Sequence, residues 1–176
     1  SSRRLLDNPD HALDTPYDLI SMISDESCMP VCYGGGIRTI DQIRQLFRAG
    51  IEKVCICTEA VRRPEFIRDA SSTFGSQSIV VAIDVKKNNA GEYEVWSHGG
   101  GLRSDYDPVS FAQLMVEMGV GEILVNSIDR DGLMGGYDIN LISEISKCVN
   151  VPVIALGGAE PNTDFVSVLK DGSAQA

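Results

Sequence analysis

Short apolar runs rich in β-branched residues alternate along the chain with longer stretches whose apolar positions recur at helical spacing. Such alternation is the mark of parallel strand–helix units. The pattern predicts strands near 31–35, 53–57, 79–86, 122–128 and 152–156. It predicts helices near 16–26, 39–49, 64–74, 108–119, 139–148 and 162–170, several of them opened by start signals such as Thr39, Pro64, Pro108 and Asp138.

Alternation within the strands sorts side chains onto two faces. Lys53, Cys55 and Cys57 share one face, as do Val80, Ala82 and Asp84, and Glu122, Leu124 and Asn126; the opposite positions Val54, Ile56, Val81, Ile83, Ile123 and Val125 are all apolar. The apolar set is expected to pack beneath helices, and the mixed set to line a barrel interior with polar groups at its mouths. The strand at 79–86 runs into the turn-rich tip Lys86 to Gly91 and returns as Tyr93 to Ser97, which predicts a β-hairpin grafted onto the following loop. Its Gly-rich return, His98 to Gly101, has the composition of a lid.

The segment Met29 to Gly36 is copied by Val151 to Gly158, with Pro30 and Pro152 marking the same place 122 residues apart. A strand–turn–helix unit written twice at that spacing implies a ring of such units. The fold class expected is therefore α/β, an incomplete (βα)8 TIM barrel of about five βα units, because a closed barrel takes about 250 residues. The first two strands and the last are expected to be absent. A complete five-stranded doubly wound sheet is the alternative, against which stand the adhesive open edges it would leave at 31–35 and 152–156. Those edges also suggest self-association. Residues 1–15 are a polar segment without a strand, and 16–176 form the barrel domain.

Composition narrows the functional range. A net charge of −10 argues against a nucleic-acid groove, and the chain has no apolar run long enough to span a membrane and no signal-peptide core in Ser1 to Asp10. Five cysteines without C-x-x-C spacing, Cys28, Cys32, Cys55, Cys57 and Cys148, read as free thiols buried in a reducing cytoplasm.

The glycines Gly34, Gly35 and Gly36 end a strand just before a helix, where backbone N–H groups and the helix dipole suit a phosphate; Gly157 and Gly158 repeat the arrangement. Tight turns need glycine for steric reasons too, so each cradle has a plain structural alternative. Asp84 ends its strand on the interior face, where barrel enzymes place acids and bases, unless it merely caps a loop or pairs with Lys86. The stretch Asn126 to Gly132 offers Asp129, Arg130 and Asp131 and reads alternatively as an Asx turn with an Asp129–Arg130 pair. It lacks the oxygens of a calcium loop. Cys55 and Cys57 read as core thiols, and His98 as a solvated loop residue.

Taken in order, Val31 to Gly36, Lys53 to Val61, Phe74 to Gln77, Val80 to Asp84, Gly121 to Leu124, Ser127 to Gly132, Gly136 to Asp138 and Pro152 to Ala159 resemble the cyclase subunit of imidazole glycerol phosphate synthase. The resemblance runs from Cys28 to about Gly172. It implies a cytoplasmic lyase of histidine biosynthesis that takes ammonia from a glutaminase partner in a heterodimer and cyclises a bis-phosphorylated aminoimidazole-carboxamide ribotide, with no cofactor and no metal. By the same resemblance, Asp84 and Asp131 are catalytic, and Gly35, Gly36, Thr58, Asn126, Gly132, Gly157 and Gly158 bind phosphate or substrate. Lys53 and Glu122 form a charged ring that gates ammonia, and Glu52 faces the glutaminase. Cys57 stands where the family usually has Asn, Leu156 replaces a small hydroxyl residue, and the lid loop differs. These departures suggest a paralogue that supplies ammonia for amidation of a surface-sugar precursor; a non-catalytic phosphate- or partner-binding barrel piece is the remaining alternative. With one catalytic aspartate and half a phosphate site on the expected missing strands, the chain by itself is expected to be inactive.

Overall fold

The structure, a computed structural model, describes residues 15–27, 29–159, 168–170 and 172–174. The polar segment at 1–14, Cys28 and most of the helix expected near 162–170 lie outside these; the described residues 168–170 are helical. Among the described residues the elements run α1 (Tyr17–Glu26), β1 (Cys32–Gly34), α2 (Ile40–Arg48), β2 (Lys53–Ile56), α3 (Thr58–Arg62), α4 (Glu65–Phe74), β3 (Ile79–Lys87), β4 (Tyr93–Ser97), β5 (Leu102–Arg103), α5 (Pro108–Glu117), β6 (Glu122–Ser127), α6 (Ile139–Cys148) and β7 (Val153–Leu156). Every expected strand and the hairpin are present, most within one residue of the predicted bounds. The five-residue α3 is additional; it is too short to carry an apolar stripe of its own.

Strands β1, β2, β3, β6 and β7 lie side by side in chain order, and each pairing among them is parallel. Helices alternate with them, so the sheet is an arc of barrel wall. Local chemistry sets the helix starts. At α2 the Gln42 N–H donates to Thr39 Oγ1 at 3.2 Å while the Thr39 N–H donates to Gln42 Oε1 at 3.0 Å, a reciprocal capping box. Asp107 accepts from the N–H groups of Val109 and Ser110, and Pro108 occupies the first turn of α5, where its missing donor costs nothing.

The face beneath the helices is dry. Val54, Ile56, Val81, Ile83, Ile123 and Val125 are at most 1% exposed and meet Ile43 and Leu46 of α2, Phe66 and Ile67 of α4 and Phe111 of α5 in one core. At about 25 cal/mol per Å² of apolar area removed from water, this layer is the main stabilising term of the fold. On the opposite face Lys53, Cys55, Asp84, Glu122, Leu124 and Asn126 are only half-buried, as the alternation predicts. Val80 and Ala82 are buried there because β3 is the central strand.

The thiols correct one expectation. Cys32, Cys55, Cys57 and Cys148 are free, yet Cys32 and Cys148 are exposed and Cys55 and Cys57 half-buried. Alternation places Cys55 and Cys57 on the concave face, Cys32 joins them as the register partner of Lys53, and among the described residues nothing fills that face as the helices fill the other.

β3 has three neighbours. On one side β6 pairs with residues 80–85; on the other β2 pairs with 79–81 and the antiparallel β4 takes over at 84–87. At Ala82 and Ile83 that second side has no strand partner among the described residues. The wall opens there.

Candidate functional site

The opening is a cleft of about 710 Å³ lined by Gly34, Gly35 and Gly36 on one wall, Cys55, Cys57 and Thr58 beside them, Ala82 and Asp84 at its floor, and His98 and Gly99 at its lip. Arg38, Glu59 and Arg62 complete the mouth. Its position follows from the handover on β3, since the C-terminal ends of β2 and of the antiparallel β4 part around Asp84 much as strands part at the crevices where open α/β sheets bind ligands.

Asp84 is held from both sides. Asn126 Nδ2 donates to Asp84 Oδ1 at 2.9 Å, and Cys57 Sγ donates to Asp84 Oδ2 at 3.4 Å. Register makes the first contact, because Asp84 and Asn126 are direct partners on parallel strands. Burial pushes the Cys57 thiol up to about 12, with the Asp84 charge and hydrogen bond adding to it, so Cys57 is a proton donor to Asp84 and not a nucleophile. Cys55 is likewise pushed up to about 12, first by burial and then by Cys32 and Asp84. The alternative pairing of Asp84 with Lys86 is not made. Lys86 Nζ instead donates to the Gly100 carbonyl at 2.7 Å and lies 4.5 Å from the Trp96 ring centre.

The glycine wall is open. Gly35 and Gly36 have φ of +123° and +67°, conformations that disfavour other residues, and a Cβ on either would meet nothing within 4 Å. Thr58 Oγ1 accepts the His98 N–H at 3.1 Å, which leaves the hydroxyl hydrogen of Thr58 free to donate into the cleft. Gly157 and Gly158 stand differently: both are buried, and a Cβ on them would lie 2.7 Å from the Ser127 carbonyl oxygen and 2.4 Å from that of Gly136.

Lys53 and Glu122 form an ion pair at the N-terminal ends of β2 and β6. Asp84 lies four residues further along β3 than Val80, the register partner of Glu122, which is about 13 Å of strand. The charged pair and the acid therefore sit at opposite ends of the concave face, and Glu52 is exposed at the pair's end.

Asp131 and Gly132 are exposed in the loop after β6 and do not line the cleft. The Asp129–Arg130 pair is not formed. Asp129 accepts the Lys87 N–H at 2.7 Å, while Arg130 turns to Asp138 at 3.6 Å and to the carbonyls of residues 135–137. Asp138 is 6% exposed; it also takes the Tyr93 hydroxyl at 2.8 Å, tying the hairpin to the start of α6. Sequence reasoning missed Arg38, Arg62 and Glu59 at the cleft mouth. For Glu59, 6% exposed and within 3.6 Å of Arg62 and 3.3 Å of Arg63, the i,i+3 and i,i+4 spacing was the available signal.

A parallel strand–helix arc with an acid and an open glycine turn at the C-terminal ends of its strands places the chain in the (βα)8-barrel class. The chain belongs to the histidine biosynthesis protein family, whose model matches residues 6–176. It is 42% identical over 159 residues to the imidazole glycerol phosphate synthase subunit HisF of Alkaliphilus metalliredigens, an alignment covering 90% of this chain and 63% of that protein. The chain thus spans less than two thirds of that relative's length.

Proposed function

We propose that this chain carries the acid–base centre and one phosphate site of a cyclase of the imidazole glycerol phosphate synthase type. The observation that carries the reading is Asp84, oriented by Asn126 and Cys57 within the cleft that Gly35, Gly36 and Thr58 line. Asp84 serves as general acid or base while ammonia closes the imidazole ring and the carboxamide ribotide departs. One phosphate of the ribotide sits at Gly35, Gly36 and Thr58; the other lies toward Gly157 and Gly158, with Gly132 and Asp131 closing over the substrate from the β6 loop. Ammonia from a glutaminase partner docked near Glu52 enters past Lys53 and Glu122 and travels the length of the concave face. Membership of the histidine biosynthesis family and 42% identity to a HisF subunit support this reading.

The Cys57–Asp84 contact favours a second reading, a paralogue that channels ammonia for amidation of a surface-sugar precursor, because a thiol is a poorer hydrogen-bonding partner for substrate than the usual Asn. A chimera separates the two. This chain replaces the matching residues of the A. metalliredigens subunit, and ammonia-dependent turnover of the bis-phosphorylated ribotide is measured with Asp84 intact and with Asp84→Asn. The cyclase reading expects turnover, lowered at least 100-fold by the substitution. A folded chimera without turnover would support the paralogue.

A further inference from the structure

His98 lies at the tip of the lid in a left-handed backbone conformation, φ 53°, with three glycines directly after it. A non-glycine residue there costs about 1 kcal/mol, and glycine would remove the cost. Three contacts hold the residue in place. The His98 N–H reaches Thr58 Oγ1 at 3.1 Å, Nδ1 lies 3.0 Å from Ser97 Oγ, and Ser97, itself 3% exposed, donates to the Leu102 carbonyl at 3.3 Å. Nε2 has no partner among the described residues.

The surroundings say what Nε2 is suited to meet. His98 lines the same cleft as Gly35, Gly36 and Thr58, and the cleft mouth also carries Arg38 and Arg62 in a chain whose net charge is −10. Among the described residues the carboxylates lining it are Glu59, within salt-bridge distance of Arg62 and Arg63, and Asp84, bound by Asn126 and Cys57. In the same cleft, the glycine turn at Gly35 and Gly36 leaves open space beside backbone that has no side chains to block an anion.

Building on the phosphate site proposed above, we infer that His98 is a phosphate ligand delivered by the lid. Its N–H fixes the Thr58 hydroxyl so that the Thr58 hydrogen faces the cleft. With Ser97 Oγ donating to Leu102 and accepting from Nδ1–H, the ring meets the phosphate as the imidazolium, which donates Nε2–H. The ligand class is the phosphate monoester end of a small molecule. The left-handed conformation is then the cost of aiming a side chain inward at a position where glycine would fold more easily.

The test titrates inorganic phosphate into the 176-residue chain, followed by calorimetry and by backbone amide shifts of Gly35, Gly36 and Thr58. His98→Gly keeps the backbone contact to Thr58 and relieves the strain. It is expected to melt at the same temperature or higher while binding phosphate at least fivefold more weakly, and His98→Asn, which also tolerates the left-handed region, should weaken binding similarly. Unchanged affinity in both variants would overturn the inference and leave the phosphate site standing. No response of the wild-type amides to phosphate would overturn the inference and the phosphate site together.

Discussion

The two glycine turns that end β1 and β7 are copies in sequence and opposites in structure. At Gly35 and Gly36 an added Cβ would meet nothing within 4 Å, whereas at Gly157 and Gly158 it would strike the backbone of Ser127 and Gly136. The first turn faces a cleft. The second is packed against the loop after β6, where the Gly136 N–H also donates to the Gly158 carbonyl at 2.8 Å. The same residue type thus answers two demands, open space beside one copy and close approach of two chain segments in the other.

That contrast can be broken by substitution. Gly158→Ala should cost the most, about 3 kcal/mol or more, because a φ of +89° and a 2.4 Å backbone contact must both be relieved; a denaturant midpoint close to wild type would show that the second turn is not packing-limited. Gly36→Ala should cost only about 1 kcal/mol, the conformational penalty alone. Its phosphate affinity should nevertheless be lost, since the methyl group fills the open wall. If Gly36→Ala kept its affinity, the open space would not be ligand space.

A pH effect sharpens the first region through its thiols. Burial raises the folded-state values of Cys55 and Cys57 to about 12 from an ordinary 9.0, so below pH 9 both states hold these protons and the thiols leave stability unchanged with pH. Between pH 9 and about 12 the unfolded chain releases protons that the folded chain keeps, and stability falls by up to about 1.4 kcal/mol per pH unit for each thiol. Urea melts of wild type and Cys57→Ala at pH 8 and pH 10.5 read this directly. Identical pH dependence in the two proteins would place Cys57 in a wetter setting than the cleft.

Most of the architecture was legible because strand, helix and hairpin signals are local. Val80 to Val85 reads as a strand and Asn88 to Gly91 as a turn, while Lys86 and Lys87, placed in the turn by composition, extend β3. Alternation also separated Lys53, Asp84 and Asn126 from the apolar face correctly. It said which face each side chain takes, not what lies beyond that face, and so Cys32, Cys55 and Cys57 were read as buried when the concave side is open. The contacts that shape the site were out of reach for a related reason. Cys57 meets Asp84, and His98 meets Thr58, only through where strands end and which neighbour takes over, properties of the assembled sheet.

The shared edge of β3 has a further consequence, for the order in which the chain acquires its structure. The hairpin partners of β3 begin only 6 residues away, at Lys87 and Tyr93, while its β6 partners lie 42 residues away, as for Val80 and Glu122. Loop closure is cheapest for the hairpin, so β3 and β4 can pair before the distant strand arrives, and β2 and β6 can then add to an existing template. Asp84, paired with Trp96 within that hairpin, is fixed to the earliest-forming element, and the cleft around it takes shape as the later strands dock.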